Sequence, residues 1–597
     1  MKFRWSTAPP QPALAAHLAV ASKISPLLAQ CLLNRHLSEP ETIRQFLEPR
    51  LKMLADPFLL PNMEAAVERL LAARERDEPM VIFGDYDVDG VTSTALLIEV
   101  LTALGWKVDF YLPHRLEEGY GLSQDGVENC RKKIPATLLL AVDCGSTAVN
   151  SIAWLKEQGT DVIVLDHHQV SEPLPRAVAI VNPQLPRSAG ILPASSEASS
   201  FVEAGCRPTC SQDACATFRE LCSAGLAFKL AHALVKRGRE LGWPQAHEFD
   251  LRPLLDLVAL GTIADLVPLT GENRILTKIG LEYLNQSKRS GIVALRDVAQ
   301  ANGILGCYEV GFQLAPRLNA AGRLENAEEA LRLFLSRDPK EAEAMARSLD
   351  TRNRERQEIE RNISSDAIGA IRARFNPEND FVIVEGQLLW HIGVVGIVAS
   401  RVLHEFYRPT IILGGEAESW RGSGRSIDGF DLASALRDCD DLLVKHGGHA
   451  MAAGLTIHPK NLDAFRARLN EIARRTLKRE QLQPVLRLDA EVALSDLTVE
   501  RVRELEKLNP LGQKNPPVHL CARSLSHHRT PQRMGKQNQH AKFWVGNGGK
   551  TIEAVWWNCG DATLPKVNCD LAFTPQVNEF NGNCSVQLKI LDWQPVS

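Results

Sequence analysis

No apolar run in the 597-residue chain approaches the ~20 residues of a membrane-spanning helix, so the protein is expected to be soluble. The amino-terminal stretch makes a poor secretory core because Pro9, Pro10, Pro12, His17 and Lys23 interrupt it. Export is therefore not expected. Thirteen cysteines, an odd count without a repeating framework, exclude a disulfide scaffold and fit reduced thiols in the cytoplasm. The densest group, Cys206, Cys210, Cys215 and Cys222, lacks zinc-ligand spacing and a nearby histidine pair, and reads as free thiols in an insertion. Charge of one sign is also missing: Lys+Arg 68 against Asp+Glu 72 leaves a net charge of -4. A histone-like binder carried by bulk positive charge is excluded, and any nucleic-acid site must be a local patch. Aromatics are few, at 6%, so stacking surfaces must be sparse and well placed.

What is present is the texture of a large globular protein, 45% hydrophobic and 23% charged, long enough for about four domains. Residues 1–61 mix proline with short amphipathic pieces and read as a helical lead-in. From there to about residue 326, short apolar runs alternate with helix-like stretches. The runs are Val81 to Phe83, Leu138 to Val142, Val162 to Leu165 and Val178 to Val181, and that alternation predicts a parallel α/β sheet. Residues 188–217, rich in Ala, Ser and Cys and without periodicity, read as a surface insertion. Residues 327–374 are charged and helix-favouring, predicting a long connecting helix, and residues 375–480 return to an α/β texture. From 483 to 597 alternating strands predict a small β-barrel.

The acidic residues sit in a particular place. Val81-Ile82-Phe83-Gly84 runs into Asp85-Tyr86-Asp87-Val88-Asp89-Gly90, Leu140-Ala141-Val142 into Asp143-Cys144-Gly145, and Ile163-Val164-Leu165 into Asp166-His167-His168. Each predicted strand ends in carboxylates or imidazoles, and in open α/β sheets ligands bind outside the strand C-termini. Asp265, closing an apolar helix, is a fourth candidate. Packed into one crevice, Asp87, Asp89, Asp143 and Asp265 would repel and protonate unless cations neutralise them. Such a set with one or two imidazoles suits two ions sharing a carboxylate, and its oxygen and nitrogen donors favour Mn or Mg over thiolate-bound zinc. Two ions ~4 Å apart clamp a hydroxide and polarise a phosphoryl oxygen, which is phosphoester hydrolysis. The Asp-x-Asp-x-Asp-Gly run also resembles an EF-hand start, but that loop's twelfth position is Leu96 rather than Glu. His527-His528 lacks such a context and reads as core or surface.

These four clusters, with Gly261-Thr262-Ile263-Ala264-Asp265-Leu266-Val267-Pro268-Leu269 as the last, resemble the motifs of the DHH phosphoesterase superfamily. Within it the chain resembles the bacterial 5′-to-3′ exonucleases specific for single-stranded DNA. That resemblance runs nearly end to end, through Glu118-Gly119-Tyr120-Gly121-Leu122, Ala315-Pro316-Arg317-Leu318-Asn319-Ala320-Ala321-Gly322-Arg323 and the DHHA1-like Gly422-Ser423-Gly424-Arg425-Ser426 and Gly447-Gly448-His449. It implies a DHH domain and a DHHA1 domain joined by a long helix, then a C-terminal OB-fold. It also implies that Asp87, Asp89, Asp143, His167 and Asp265 bind the ions, with Asp143 the bridge. Asp85, Asp166 and His168 would support them, His168 donating to the scissile phosphate.

Arg115, Arg317, Arg323, Ser423 and Arg425 fall in segments punctuated by Gly and Pro and read as loop residues able to hold phosphate. By resemblance, Arg115, Ser423 and Arg425 form a 5′-phosphate pocket. His449 either adds a DNA contact or is a buried structural histidine. In the OB-fold, Arg533, Lys536, Lys542 and Trp544 are candidate DNA contacts, whereas Trp556-Trp557 could equally be core. The resemblance further implies a monomer in recombination and repair, with single-strand-binding protein and a RecQ-like helicase as partners. Two rival readings stand beside it: a DHH phosphoesterase for short oligonucleotides or small phosphoesters, and a catalytically silent scaffold that binds single-stranded DNA.

Overall fold

A computed structural model describes residues 3–115, 117–185, 218–416, 418–547, 549–565 and 568–596. The insertion expected at 188–217 lies outside them, as do Cys206, Cys210 and Cys215; Cys222 is described and buried. Among the described residues no single helix is long and apolar enough to cross a membrane. The chain divides into two compact units, residues 44–353 with 508–516, and residues 1–43 with 354–507 and 517–597.

Strand β1 (Arg4–Thr7) belongs to the second of these units. The first unit is built on β2 (Met80–Gly84), β3 (Val108–Tyr111), β4 (Leu138–Val142), β5 (Asp161–Leu165) and β6 (Ala179–Val181), paired in the order β3-β2-β4-β5-β6. All four pairings are parallel. Strands β2 and β4 are buried along their whole length, as expected of a sheet covered on both faces. From β2 the chain passes to β3 on one side, while β4 lies on the other, so the order reverses at β2 and leaves a crevice between β2 and β4. Helices Val88–Ala103, Ser223–Glu240 and Leu255–Ala264 pack together over this sheet. Gly261 permits that approach: a Cβ there would lie 2.6 Å from Ala224 Cβ and 2.5 Å from Thr92 Oγ1.

The charged stretch 327–374 is not one helix. Glu328–Leu335 is separate, and a 36-residue helix runs from Pro339 to Arg374. Proline lacks an N–H and fits only a helix's first turn, and the Asp338 carboxylate accepts from the Lys340 amide at 2.9 Å. Ala342, Ala346 and Leu349 join the core of the first unit, whereas Ile363, Ala367 and Ile371 join a core in the second.

In the second unit, β7 (Ile383–Leu388), β8 (Thr410–Glu416), β9 (Ser419–Arg425), β10 (Leu443–Gly448) and β11 (Ala452–Ile457) form a mixed sheet in the order β10-β11-β9-β8-β7. Strand β12 (Val485–Leu488) pairs in parallel with β1. The amino-terminal residues thus extend the carboxy-terminal part of the chain, and the Ser25 amide donates to Glu504 at 3.1 Å. After β13 (Ala490–Glu491) come β14 (Leu520–Met534), β15 (His540–Gly546), β16 (Thr551–Trp556), β17 (Cys569–Phe580) and β18 (Asn583–Pro595). The last five pair as β14-β15-β16-β18-β17, with β17 also pairing with β14 and β13 added in parallel to β14, a pattern consistent with a barrel.

Candidate metal centre

The parallel register sets out the acids. Gly84 lies beside Val142, and Val142 beside Leu165, so the next residue of each strand, Asp85, Asp143 and Asp166, follows in one row at the C-terminal rim. Backbone bonds extend the ladder one step: the Asp85 amide donates to the Val142 carbonyl at 3.2 Å and the Asp143 amide to Leu165 at 3.0 Å. Asp143 then turns through a left-handed conformation, φ 63°, which is costly for a residue with a Cβ and is retained at sites where the surroundings fix it.

Helix ends supply the remaining carboxylates. Asp87 caps the Val88–Ala103 helix, accepting from the Gly90 amide at 3.1 Å, and Asp89 lies in its first turn, 1% exposed. Asp265 caps the C-terminus of Leu255–Ala264. His167 Nε2 lies among them, 3.4 Å from Asp143 Oδ1, 3.5 Å from Asp265 Oδ2 and 3.9 Å from Asp89 Oδ2. Three groups have donor atoms close enough to share an ion: Asp85, Asp87 and Asp143; Asp89, His167 and Asp265; and Asp143, His167 and His168.

The electrostatics call for cations. Burial, then the charge of Asp87, pushes Asp85 well above the ordinary carboxylate range and Asp89 up to about 7. Asp143 is also raised well above that range by burial and then by Asp89, Asp87, Asp85 and Asp265. Asp265 is pushed up to about 9 by burial, with Asp89 and Asp87 adding to it. Burial, helped by His168, brings His167 down to about 4, so its imidazole is neutral and able to ligate. Asp85 Oδ1, Asp265 Oδ2 and His167 Nε2 are buried with no hydrogen-bond partner. Divalent cations would satisfy these atoms and relieve the repulsion.

Asp166 and His168 stand apart from that conflict. Asp166 Oδ2 accepts from the Ser146 amide at 3.0 Å, and Oδ1 faces His168 Nδ1 at 2.7 Å. Burial alone would raise Asp166, but bonding to His168 and Ser146 holds it well below the usual range. Burial alone would likewise lower His168, but bonding and charge from Asp166 bring it up to about 9. His168 is thus an imidazolium at neutral pH, with Nε2 turned to the Tyr120 hydroxyl at 3.2 Å.

One supporting side chain here, that of Ser223, carries no sequence signal. Ser223 donates through Oγ to Asp143 Oδ1 at 2.8 Å, and its amide and that of Ala224 donate to the two oxygens of Asp89 at 2.7 and 2.8 Å. The start of the Ser223–Glu240 helix therefore holds two of the acids, with its dipole favouring their charge. Asn319 accepts from the Val88 amide at 3.2 Å and fixes the loop of the first cluster. Replacing Ser223 with glycine is expected to weaken Mn²⁺ binding about tenfold, the lower end of the effect of losing a group that orients a metal ligand. Calorimetric titration of chelator-stripped protein measures this, and unchanged affinity would show that the hydroxyl does not orient Asp143.

The candidate phosphate-binding residues are not all in loops. Arg115 is, half-buried, with its guanidinium carbon 5.1 Å from the Tyr86 ring centre. Arg317 and Arg323 instead lie on the helix Ala315–Leu324, which continues a helical run from Cys307 through a π-helical turn at Val310–Leu314, the kind of widened turn that accommodates a proline such as Pro316. Arg317 is engaged internally, with Nε 2.9 Å from Asp350 and Nη1 2.5 Å from the Gln313 carbonyl. Ser423 and Arg425 lie on β9, where alternation points both the same way, and Arg425 Nη1 donates to Ser423 Oγ at 3.0 Å. A Cβ on Gly396 would lie 3.0 Å from Ser423 Oγ and 3.2 Å from Arg425 Nη2, so both sit over the first turn of the helix Val395–Phe406. His449 is exposed in the turn between β10 and β11, which removes the reading of a buried histidine.

On the barrel, Trp544 is half-buried beneath two cations, Arg529 at 5.0 Å and Lys542 at 5.2 Å from its ring centre. Lys542 also pairs with Glu553 at 2.5 Å, and Lys536 is exposed. Arg533 donates to the carbonyls of Gly560 and, at 2.8 Å, Ala562, so it ties the loop after β16 to β14. Trp557 is 45% exposed and lies edge-on to His540, and so is not core.

A parallel sheet with carboxylates and a neutral imidazole gathered at its switch point defines a metal-dependent phosphoesterase of the DHH class. Family profiles agree, matching the DHH family N-terminal domain at residues 79–262, the DHHA1 domain at 379–475 and the RecJ OB domain at 488–592. The single-stranded-DNA-specific exonuclease RecJ of Bacillus subtilis is 36% identical over 99% of this chain and 71% of its own length. The Escherichia coli RecJ is 33% identical over 96% of this chain and 97% of its own. The crystal structure of Thermus thermophilus RecJ with Mn²⁺ superposes with a TM-score of 0.80 at 29% identity, covering 100% of this chain and 80% of that one. The chain belongs to the RecJ family.

Proposed function

We infer that the protein hydrolyses single-stranded DNA from its 5′ end to mononucleotides, using two divalent ions, Mn²⁺ or Mg²⁺. The observation that carries this reading is the buried row Asp85, Asp143 and Asp166 with Asp87, Asp89, His167 and Asp265 around it, set on a chain similar end to end to exonucleases of that specificity. Asp85, Asp87, Asp89, Asp143, His167 and Asp265 would hold the ions, which would supply water activation and phosphoryl polarisation there. Asp143, common to two of the three ligand groups, supports the reading of a shared carboxylate. Asp166 holds His168 as an imidazolium, and His168 Nε2 donates a proton in hydrogen bonding to the phosphate oxygen. Ser223 and Ala224 hold Asp143 and Asp89 in place.

We assign phosphate binding to Arg115 in the catalytic unit, and to Ser423 and Arg425 at a helix N-terminus in the other, where backbone amides and a guanidinium suit an anion. Trp544 with Arg529 and Lys542 offers a stacking platform on the barrel. Arg317 reads as structural, given its bond to Asp350. An enzyme confined to single strands needs duplex to be opened for it, so a helicase of the RecQ type and single-strand-binding protein fit as partners in recombination and repair.

The test is a time course on single- and double-stranded DNA labelled at the 3′ end, with 5′ phosphate or 5′ hydroxyl, in Mn²⁺ or Mg²⁺. The labelled single strand alone should shorten stepwise from its 5′ side, with a labelled mononucleotide appearing only at the end. Cleavage of dinucleotides but not of the longer strand would favour a small-substrate phosphoesterase instead.

A further inference from the structure

Arg115 and Tyr120 both reach the region of the metal centre: Arg115 lies over the Tyr86 ring, and the Tyr120 hydroxyl meets His168 Nε2. Neither belongs to regular secondary structure, and Gly119 and Gly121, both at positive φ, flank Tyr120. Left to itself such a segment would be floppy, and a guanidinium placed on it would give little discrimination between ligands.

What ties it down is one buried carboxylate. Glu118, 9% exposed, accepts at Oε1 from the Tyr111 hydroxyl at 2.6 Å and from Asn129 Nδ2 at 2.5 Å, and at Oε2 from the His114 amide at 2.6 Å. Tyr111 ends the edge strand β3 and Asn129 stands on the helix Gln124–Lys133, so two rigid elements grip one side chain. The third bond fixes the backbone at His114, next to Arg115. A carboxylate accepting from neutral donors in a desolvated place makes shorter, stronger bonds than a neutral acceptor would. None of these partners touches the acids of the metal centre, so the anchor serves something other than ion binding.

We propose that Glu118 is a positioning residue that sets Arg115 and Tyr120 for the terminal nucleotide and so determines how strongly the enzyme prefers a 5′-phosphorylated end. This rests on the reading of the protein as a 5′ exonuclease. The carboxylate acts through the two groups that it places and touches no substrate itself.

The experiment compares kcat/KM on matched single strands carrying 5′ phosphate or 5′ hydroxyl, for the wild type and for Glu118→Ala and Glu118→Gln, with Mn²⁺ affinity and Tm measured alongside. In Glu118→Ala the ratio of the two kcat/KM values is expected to fall about tenfold, mainly through KM on the phosphorylated strand, as for loss of charge-assisted bonds that orient a ligand group. Glu118→Gln, which keeps one carbonyl acceptor, should fall between it and the wild type. Mn²⁺ affinity should stay at the wild-type value in both. A folded Glu118→Ala protein with an unchanged ratio overturns the proposal. If that variant does not fold, Tyr111→Phe and Asn129→Ala each remove one bond to Glu118 and should each lower the ratio about threefold; no change in either overturns it. A wild type without any preference for the phosphorylated end overturns the parent reading of the 5′ site, whereas a wild type with the preference and variants that keep it overturn the role of Glu118 alone.

Discussion

Asp143→Ala is expected to reduce Mn²⁺-dependent cleavage of single-stranded DNA by at least about 10³-fold, the scale of losing metal-based stabilisation worth several kcal/mol, while leaving DNA retention intact. Asp143 is 1% exposed, approached by His167 and Ser223, and common to two of the three ligand groups, so its loss affects both. On the proposed reading, DNA is held by cations and aromatics outside the acid row, so retention should survive. Single-turnover rates and filter binding measure the two quantities, and a rate within tenfold of wild type would refute the assignment. The metal-free protein offers an independent readout. Asp89 and Asp265 have folded-state values raised to about 7 and about 9, so the native state binds more protons than the unfolded chain. Stability of the metal-free protein should therefore fall as pH rises from about 4 toward 9. Removing Asp143 takes one charge out of that repulsion, so the variant's Tm without metal should rise above wild type near pH 8.

Much of this centre was legible because the parallel sheet converts sequence position into spatial position. Three apolar runs each ending in an acid imply a row, and the observed register places Asp85, Asp143 and Asp166 one step beyond the aligned Gly84, Val142 and Leu165. Asp265 could be placed because a helix end is also a defined point. What stayed hidden depends on tertiary packing without a local pattern. Ser223 follows a segment with no periodicity and meets Asp143 from eighty positions away, and nothing in Cys222-Ser223-Ala224 marks its amides as donors to Asp89. The edge strand β3 carries little sequence signal because only part of Val108–Tyr111 is buried and its Asp109 breaks the apolar run. Arg317 and Arg323 read as loop residues because Pro316 and Gly322 punctuate their segment, but the π-helical turn Val310–Leu314 lets the helical run from Cys307 pass through the proline. Strand β1 could not be anticipated either, because its partner β12 lies more than four hundred residues away.

Asp166→Asn is expected to lower the rate at pH 8 by about 10²- to 10³-fold, within the range for loss of a positioned hydrogen-bond donor to a phosphoryl oxygen, and by much less at pH 6. Asp166 bonds His168 Nδ1 at 2.7 Å and is the main cause of its rise to about 9, against burial that acts the other way. A histidine raised in the folded state contributes stability that is fully present below its unfolded value of about 6.5 and is lost as pH rises through about 9. On the proposed reading, the same proton is the one His168 would offer to the phosphate. With asparagine at position 166 the anionic partner is gone, burial again favours the neutral ring, and the imidazolium survives only toward acid pH. The alkaline limb of the rate profile should therefore move to lower pH in Asp166→Asn, whereas His168→Ala should be slow at every pH. Bound dications repel an imidazolium, so the wild-type limb in the loaded enzyme should lie below the value read from the metal-free protein. Rate profiles from pH 6 to 10, with histidine titration by NMR in the metal-free protein, separate these cases. Superimposable profiles for wild type and Asp166→Asn would show that His168 does not work as a donor held by Asp166, and would leave the two histidines of the third cluster with ligand roles alone.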